Sequence, residues 1–129
     1  MRILLLADIH SNWPALSAID DEFDACFFLG DLVDYATDPV PCLEWIQKHA
    51  THWIRGNHDH SVAQRVSVRP AGTFRLMSAA MRDHHFQVMS DEHLTWLNFQ
   101  CISDTSNNPT KFQYLRQIRN NLLALANIL

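Results

Sequence analysis

Three apolar runs in the first sixty residues each end in a cluster of acid, imidazole and amide side chains. Ile3-Leu4-Leu5-Leu6-Ala7 leads into Asp8-Ile9-His10, and Ala25-Cys26-Phe27-Phe28-Leu29 leads into Gly30-Asp31-Leu32-Val33-Asp34. His52-Trp53-Ile54-Arg55 leads into Gly56-Asn57-His58-Asp59. Apolar runs of this length, bounded by turn residues, read as buried strands. Helix-start signals lie between them. Asn12 precedes Pro14, with Ala15, Leu16 and Ile19 as an apolar stripe running to about residue 21, and Asp38 precedes Pro39, with Leu43, Trp45 and Ile46 facing inward. The alternation predicts an α/β chain of βαβαβ form, with parallel strands over 2–7, 25–29 and 51–55 and right-handed crossovers. Ligands of such a sheet bind outside the carboxyl ends of its strands, so the three clusters are expected to meet at one edge.

Beyond Asp59 the pattern loosens. Gly72-Thr73 opens a predicted helix with Phe74, Met77, Ala80 and Met81 as its apolar positions. Ser90-Asp91-Glu92 opens another, with Leu94 and Leu97 inward. Residues 103–110 (SDTSNNPT) form a polar stretch, and 111–129 put Phe112, Leu115, Ile118, Leu122, Leu125, Ala126 and Leu129 on one helical face. The expected division is a domain over 1–100, a linker over 101–110 and an amphipathic C-terminal helix over 111–129.

A chain of 129 residues is enough for one domain and one core. A net charge of −4 argues against a sequence-independent nucleic-acid binder. No apolar stretch approaches a membrane span. The apolar start is too short for a secretory signal and ends in an acid, so it reads as a first core strand. Cys26, Cys42 and Cys101 are widely spaced and form no metal or disulfide pattern, and Cys26 reads as a small buried hydrophobe. A cytoplasmic chain is expected.

Hydrolysing a phosphate ester near neutral pH needs an activated water and neutralisation of charge on the phosphoryl oxygens. Two metal ions roughly 3.5–4 Å apart can supply both, with a bridging carboxylate as the natural central ligand. Asp8, His10, Asp31 and Asn57 offer three oxygen donors and one nitrogen. That set suits divalent Mn, Fe, Zn or Ni without choosing among them. His58 beside Asp59 has the form of a proton donor oriented by a carboxylate. Gly, Asp and Asn belong in turns on backbone grounds alone, but histidine at positions 10 and 58 does not follow from turn chemistry.

In order and spacing these clusters read D-x-H, G-D-x-x-D and G-N-H-D, and the chain closely resembles the calcineurin-like metallophosphoesterase family. Residues 7–16 look most like its small bacterial phosphodiesterase and protein-phosphatase-like branch. The resemblance implies half of a β-sandwich flanked by helices, a phosphomonoester or phosphodiester substrate, and hydrolysis with two divalent metal ions. It also implies residue roles. Asp8 and His10 would bind the first metal, Asp31 would bridge, and Asn57 would bind the second. His58 would contact the scissile phosphate and assist the leaving group, Asp59 would orient His58, and Asp34 would support its loop beside Gly30 and Gly56.

The family's later ligands, a strand-end histidine and a Gly-His-x-His loop, have no counterpart, since no glycine follows Gly72. His84, His85 and His93 fall in predicted helices and read as solvated or half-buried positions. The chain therefore reads as an N-terminal half. Its tail comes either from a disrupted frame or early stop, or from a natural short form. One functional reading is an active hydrolase working with one metal or with ligands from a second chain. The alternative is a remnant or pseudo-enzyme that binds metal or phosphate without turnover. Self-association through an uncovered sheet face or the C-terminal helix is the expected partner mode.

Overall fold

The computed structural model describes residues 1–69 and 71–99, together with the isolated positions 117 and 120. Its elements in chain order are β1 (Ile3–Leu6), α1 (Trp13–Leu16), β2 (Ala25–Phe28), α2 (Pro39–His49), β3 (His52–Trp53), α3 (Asn57–Ala63), α4 (Thr73–Val88) and α5 (Asp91–Phe99). The strands form a parallel sheet in the order β1-β2-β3. Ile3 pairs with Ala25 and Leu6 with Phe28, and Phe28 in turn pairs with Trp53. The expected α/β series of parallel strands is therefore present.

One side of the sheet carries the main core. Phe28 packs with Leu16, Leu43, Ile46, Val62, Leu94 and Leu97, which come from α1, α2, α3 and α5. Along β1 exposure alternates, and Ile3 and Leu5 stand 44% and 45% exposed on the other side. Among the described residues that face is covered only toward the strand ends, where Leu29 and Ile54 are buried against Ala7 and Phe27. Cys26 and Cys42 are both buried, as small hydrophobes commonly are.

Both helix-start signals correspond to real starts. Asn12 Oδ1 accepts the Ala15 N–H at 3.2 Å, and Pro39 opens α2. Four expectations change. The first helix ends at Leu16 rather than near residue 21, because Asp20, Asp21 and Glu22 would set three acids against the negative end of a longer helix. The third strand is two residues long, although Ile54 N–H still reaches the Phe28 carbonyl at 3.0 Å. The third motif also opens a helix that the sequence pattern did not disclose. The fourth helix continues to Val88 and lies the other way round from expectation: Phe74 and Met77 are 75% and 45% exposed, while Ser78, Arg82 and His85 are buried. Leu94 and Leu97 face the core as expected. The expected linker and most of the C-terminal helix lie outside the described residues; Gln117 and Asn120 are helical and exposed. No helix among the described residues is long and apolar enough to cross a membrane.

Candidate active site

The parallel ladder runs on past the strand ends and ties the first two motif loops together. Asp8 N–H donates to the Gly30 carbonyl at 3.0 Å, His10 N–H to Asp31 at 3.1 Å and Ser11 N–H to Leu32 at 2.6 Å. Among the described residues seven non-glycine positions have positive φ, and six of them are Asp8, His10, Ser11, Asp31, Asp34 and Tyr35. Each such backbone costs roughly 1–2 kcal/mol, and clusters of them mark functional loops held by their surroundings.

Two glycines allow the loops to touch. A Cβ on Gly30, whose φ is +99°, would lie 2.5 Å from the Gly56 nitrogen. A Cβ on Gly56 would lie 2.0 Å from Asp31 Oδ1 and 2.3 Å from the Asp31 nitrogen. The second and third motifs thus pack backbone against backbone.

Asp59, fully buried, clamps that contact. Its Oδ2 accepts N–H groups from Asp31 at 2.9 Å and Gly56 at 3.0 Å, and its Oδ1 accepts from Leu32 at 2.7 Å and Val33 at 3.3 Å. The Gly56 bond caps the start of α3 from its third residue, since glycine has no side chain to return a bond. Burial pushes the Asp59 carboxyl up to about 6, with the N–H groups of Gly56, Leu32 and Asp31 pulling the other way. Asp31, 3% exposed, accepts the His58 backbone N–H through Oδ1 at 3.0 Å.

The carboxylate that orients His58 is Asp34 and not, as expected, its neighbour Asp59. His58 Nδ1 lies 2.7 Å from Asp34 Oδ2, while all four contacts of Asp59 go to backbone N–H groups. Asp34 is 0% exposed and is braced by Arg82, whose Nε donates to Oδ1 at 3.2 Å and whose Nη2 donates to Oδ2. Arg82 Nη1 reaches the Val66 carbonyl at 2.8 Å. Burial raises the Asp34 carboxyl, but the His58 and Arg82 hydrogen bonds and the Arg82 charge outweigh it and hold the group below its ordinary value. The hydrogen bond to Asp34 raises the His58 imidazole above its ordinary value against the opposing effect of burial.

His85, expected at a solvated or half-buried position, is 0% exposed. Its Nε2 meets Ser11 Oγ at 3.1 Å, its Nδ1 lies 3.9 Å from Asp34 Oδ1, and burial pulls its imidazole down to about 4. Ser11, Arg82 and His85 are the site residues that sequence reasoning missed. Ser78, Arg82 and His85 do follow helical spacing, and that polar stripe was the available signal.

His10 Nδ1 lies 2.8 Å from the Val33 carbonyl and donates to it, which leaves Nε2 as the nitrogen turned toward the site. That Nε2 is 3.6 Å from Asp8 Oδ1. The His10 ring also stands edge-on to His58 and Tyr35, at 4.9 Å and 4.6 Å between ring centres. A backbone carbonyl fixing Nδ1–H is the usual support of a metal-binding imidazole, and a carboxylate oxygen with imidazole nitrogen suits a divalent ion. Donor type therefore fits. Closure does not: among the described residues no three His, Cys, Asp or Glu side chains converge to hold an ion.

The family model for calcineurin-like phosphoesterases matches residues 1–123. The chain belongs to the calcineurin-like phosphoesterase family. It is similar to an uncharacterized protein, MJ0912, of Methanocaldococcus jannaschii, with 35% identity over 71 residues that cover 51% of this chain and 29% of that one. It is also similar to the crystal structure of a metallophosphoesterase from Sphaerobacter thermophilus, at 30% identity and a TM-score of 0.56, covering 75% of this chain and 40% of that one. This calcineurin-like phosphoesterase chain thus spans well under half the length of either relative.

Proposed function

We propose that this chain carries the first half of a divalent-metal-dependent site that hydrolyses a phosphomonoester or phosphodiester. The observation that carries the reading is the 2.7 Å contact of His58 with Asp34, beside the Asp8–His10 pair at the ends of adjacent parallel strands. Asp8, His10, Asp31 and Asn57 would hold the metal. When bound, the ions would neutralise phosphoryl charge and activate a water. His58, kept protonated by Asp34, gives a proton to the leaving oxygen. Asp34 and Arg82 position that imidazole. Asp59 is a positioning residue that fixes the Asp31 turn against Gly56.

A second reading, binding of metal or phosphate without turnover, is favoured by one observation: no three His, Cys, Asp or Glu side chains converge to hold an ion among the described residues. Manganese titration followed by electron paramagnetic resonance, run beside a bis-p-nitrophenyl phosphate assay, separates the two. Binding that weakens in His10→Ala, accompanied by turnover, supports hydrolysis. The same binding without turnover on this or a monoester substrate supports the second reading. Absence of manganese binding refutes hydrolysis and leaves only phosphate binding to the second reading.

A further inference from the structure

The segment after α3 builds a cavity of about 600 Å³ against the catalytic edge. Asn57 and His58 line it together with Ser67, Arg69, Arg75 and Arg82. No aspartate or glutamate is among its lining residues. In a chain of net charge −4, three guanidiniums around one acid-free cavity are out of proportion.

The pairing of the arginines sharpens this. Arg2, Arg65 and Arg82 each meet a carboxylate, and Arg55 bonds Asn98. Among the described residues Arg69 and Arg75 form no ion pair or hydrogen bond, and both are exposed and line this cavity. Their guanidiniums are therefore available to an incoming anion, and planar N–H donors recognise phosphate oxygens in pairs. Ser67 and Ser78 also line the cavity.

We propose that this cavity is a subsite for a second phosphate, so that the substrate class is a phosphoester in which another phosphate is joined to the scissile one. This rests on the hydrolytic reading of His58, because the scissile phosphate must lie at that end of the cavity. Arg69 and Arg75 bind and orient; they take no part in bond breaking.

The test uses the full chain, freed of metal on a chelating resin and titrated calorimetrically with inorganic pyrophosphate and with orthophosphate. Pyrophosphate is expected to bind roughly tenfold or more tightly, because its second phosphate meets charge-assisted donors. Arg69→Gln/Arg75→Gln is expected to lose that preference. Arg2→Gln removes a positive charge away from the cavity and is expected to keep it. Equal affinity for the two anions in the wild type overturns the proposal. So does a preference that survives in the double variant, or one lost equally in Arg2→Gln. Urea midpoints confirm that the variants fold, as substitution of exposed arginines predicts. Bis-p-nitrophenyl phosphate, which has one phosphate, is assayed with the metal-loaded wild type to isolate the catalytic reading. Turnover without a pyrophosphate preference removes the subsite alone. An arginine-dependent preference without turnover upholds the subsite and removes hydrolysis.

Discussion

Replacing Arg82 by Met tests the most unusual contact in the molecule. Arg82 is 5% exposed and Asp34 0%, and the guanidinium binds both Asp34 oxygens as well as the Val66 carbonyl. Methionine keeps most of the aliphatic stem and removes every donor. Asp34 is then a buried charge left to His58. Breaking a buried pair from one side costs about 3–5 kcal/mol, whereas removing both charges is far closer to neutral. Arg82→Met is therefore expected to lose about 4 kcal/mol, and Arg82→Met/Asp34→Asn to lose less than Arg82→Met alone, which requires a coupling larger than the roughly 3–5 kcal/mol that Asp34→Asn costs by itself. Urea unfolding followed by tryptophan fluorescence reads this directly. With a slope of about 1–3 kcal/mol/M, the single variant's midpoint should fall by about 2 M. A shift equivalent to under about 1 kcal/mol, or simple additivity in the double variant, would show that α4 does not rest on this ion pair.

Four further outcomes are expected. Gly56→Ala forces a Cβ to within 2.3 Å of the Asp31 backbone, and should cost more than about 4 kcal/mol or abolish the cooperative transition; a near-wild-type urea midpoint would refute the loop contact. Asp59→Asn turns the carboxylate into an amide facing four N–H donors, and should cost about 2–4 kcal/mol in the same measurement, with an unchanged midpoint counting against the clamp. His85, held down to about 4 against an ordinary 6.5, binds fewer protons folded than unfolded, so its contribution is full above 6.5 and is lost on acidification towards 4. Asp59 titrates in the opposite sense, so the comparison is wild type against His85→Gln: the gap between their unfolding free energies should shrink by about 3 kcal/mol across that window, and a constant gap would contradict the assignment. His58→Asn should lower phosphodiester turnover by roughly 10²–10⁴-fold, and equal rates would remove it as the proton donor.

Much of this architecture was legible in the sequence because local rules agree there. The apolar runs ending at Asp8, Gly30 and Gly56 are strands or lead out of them, and Asn12 and Pro39 start helices as their chemistry requires. The two motif glycines sit where a side chain would strike a neighbouring backbone. What was not legible depends on contacts far apart in the chain. The orientation of α4 is decided by Asp34, 48 residues before Arg82, so its polar stripe turns inward and Phe74 and Met77 turn out. Apolar spacing assigns the opposite face, because it assumes that only hydrophobic groups are worth burying. Asp59 was misread for a related reason. Its proximity to His58 in sequence says nothing of its side chain, which on the first turn of α3 points back into the Asp31 loop.

The central claim is that the three loops form a hydrolytic edge, and one assay addresses it most directly. Purified protein is given bis-p-nitrophenyl phosphate with and without manganese, beside Asp31→Asn, whose amide oxygen can still accept the His58 backbone N–H. The account predicts manganese-dependent release of nitrophenol that is lost in the variant. Equal release by folded wild type and folded variant, with metal present, would contradict it.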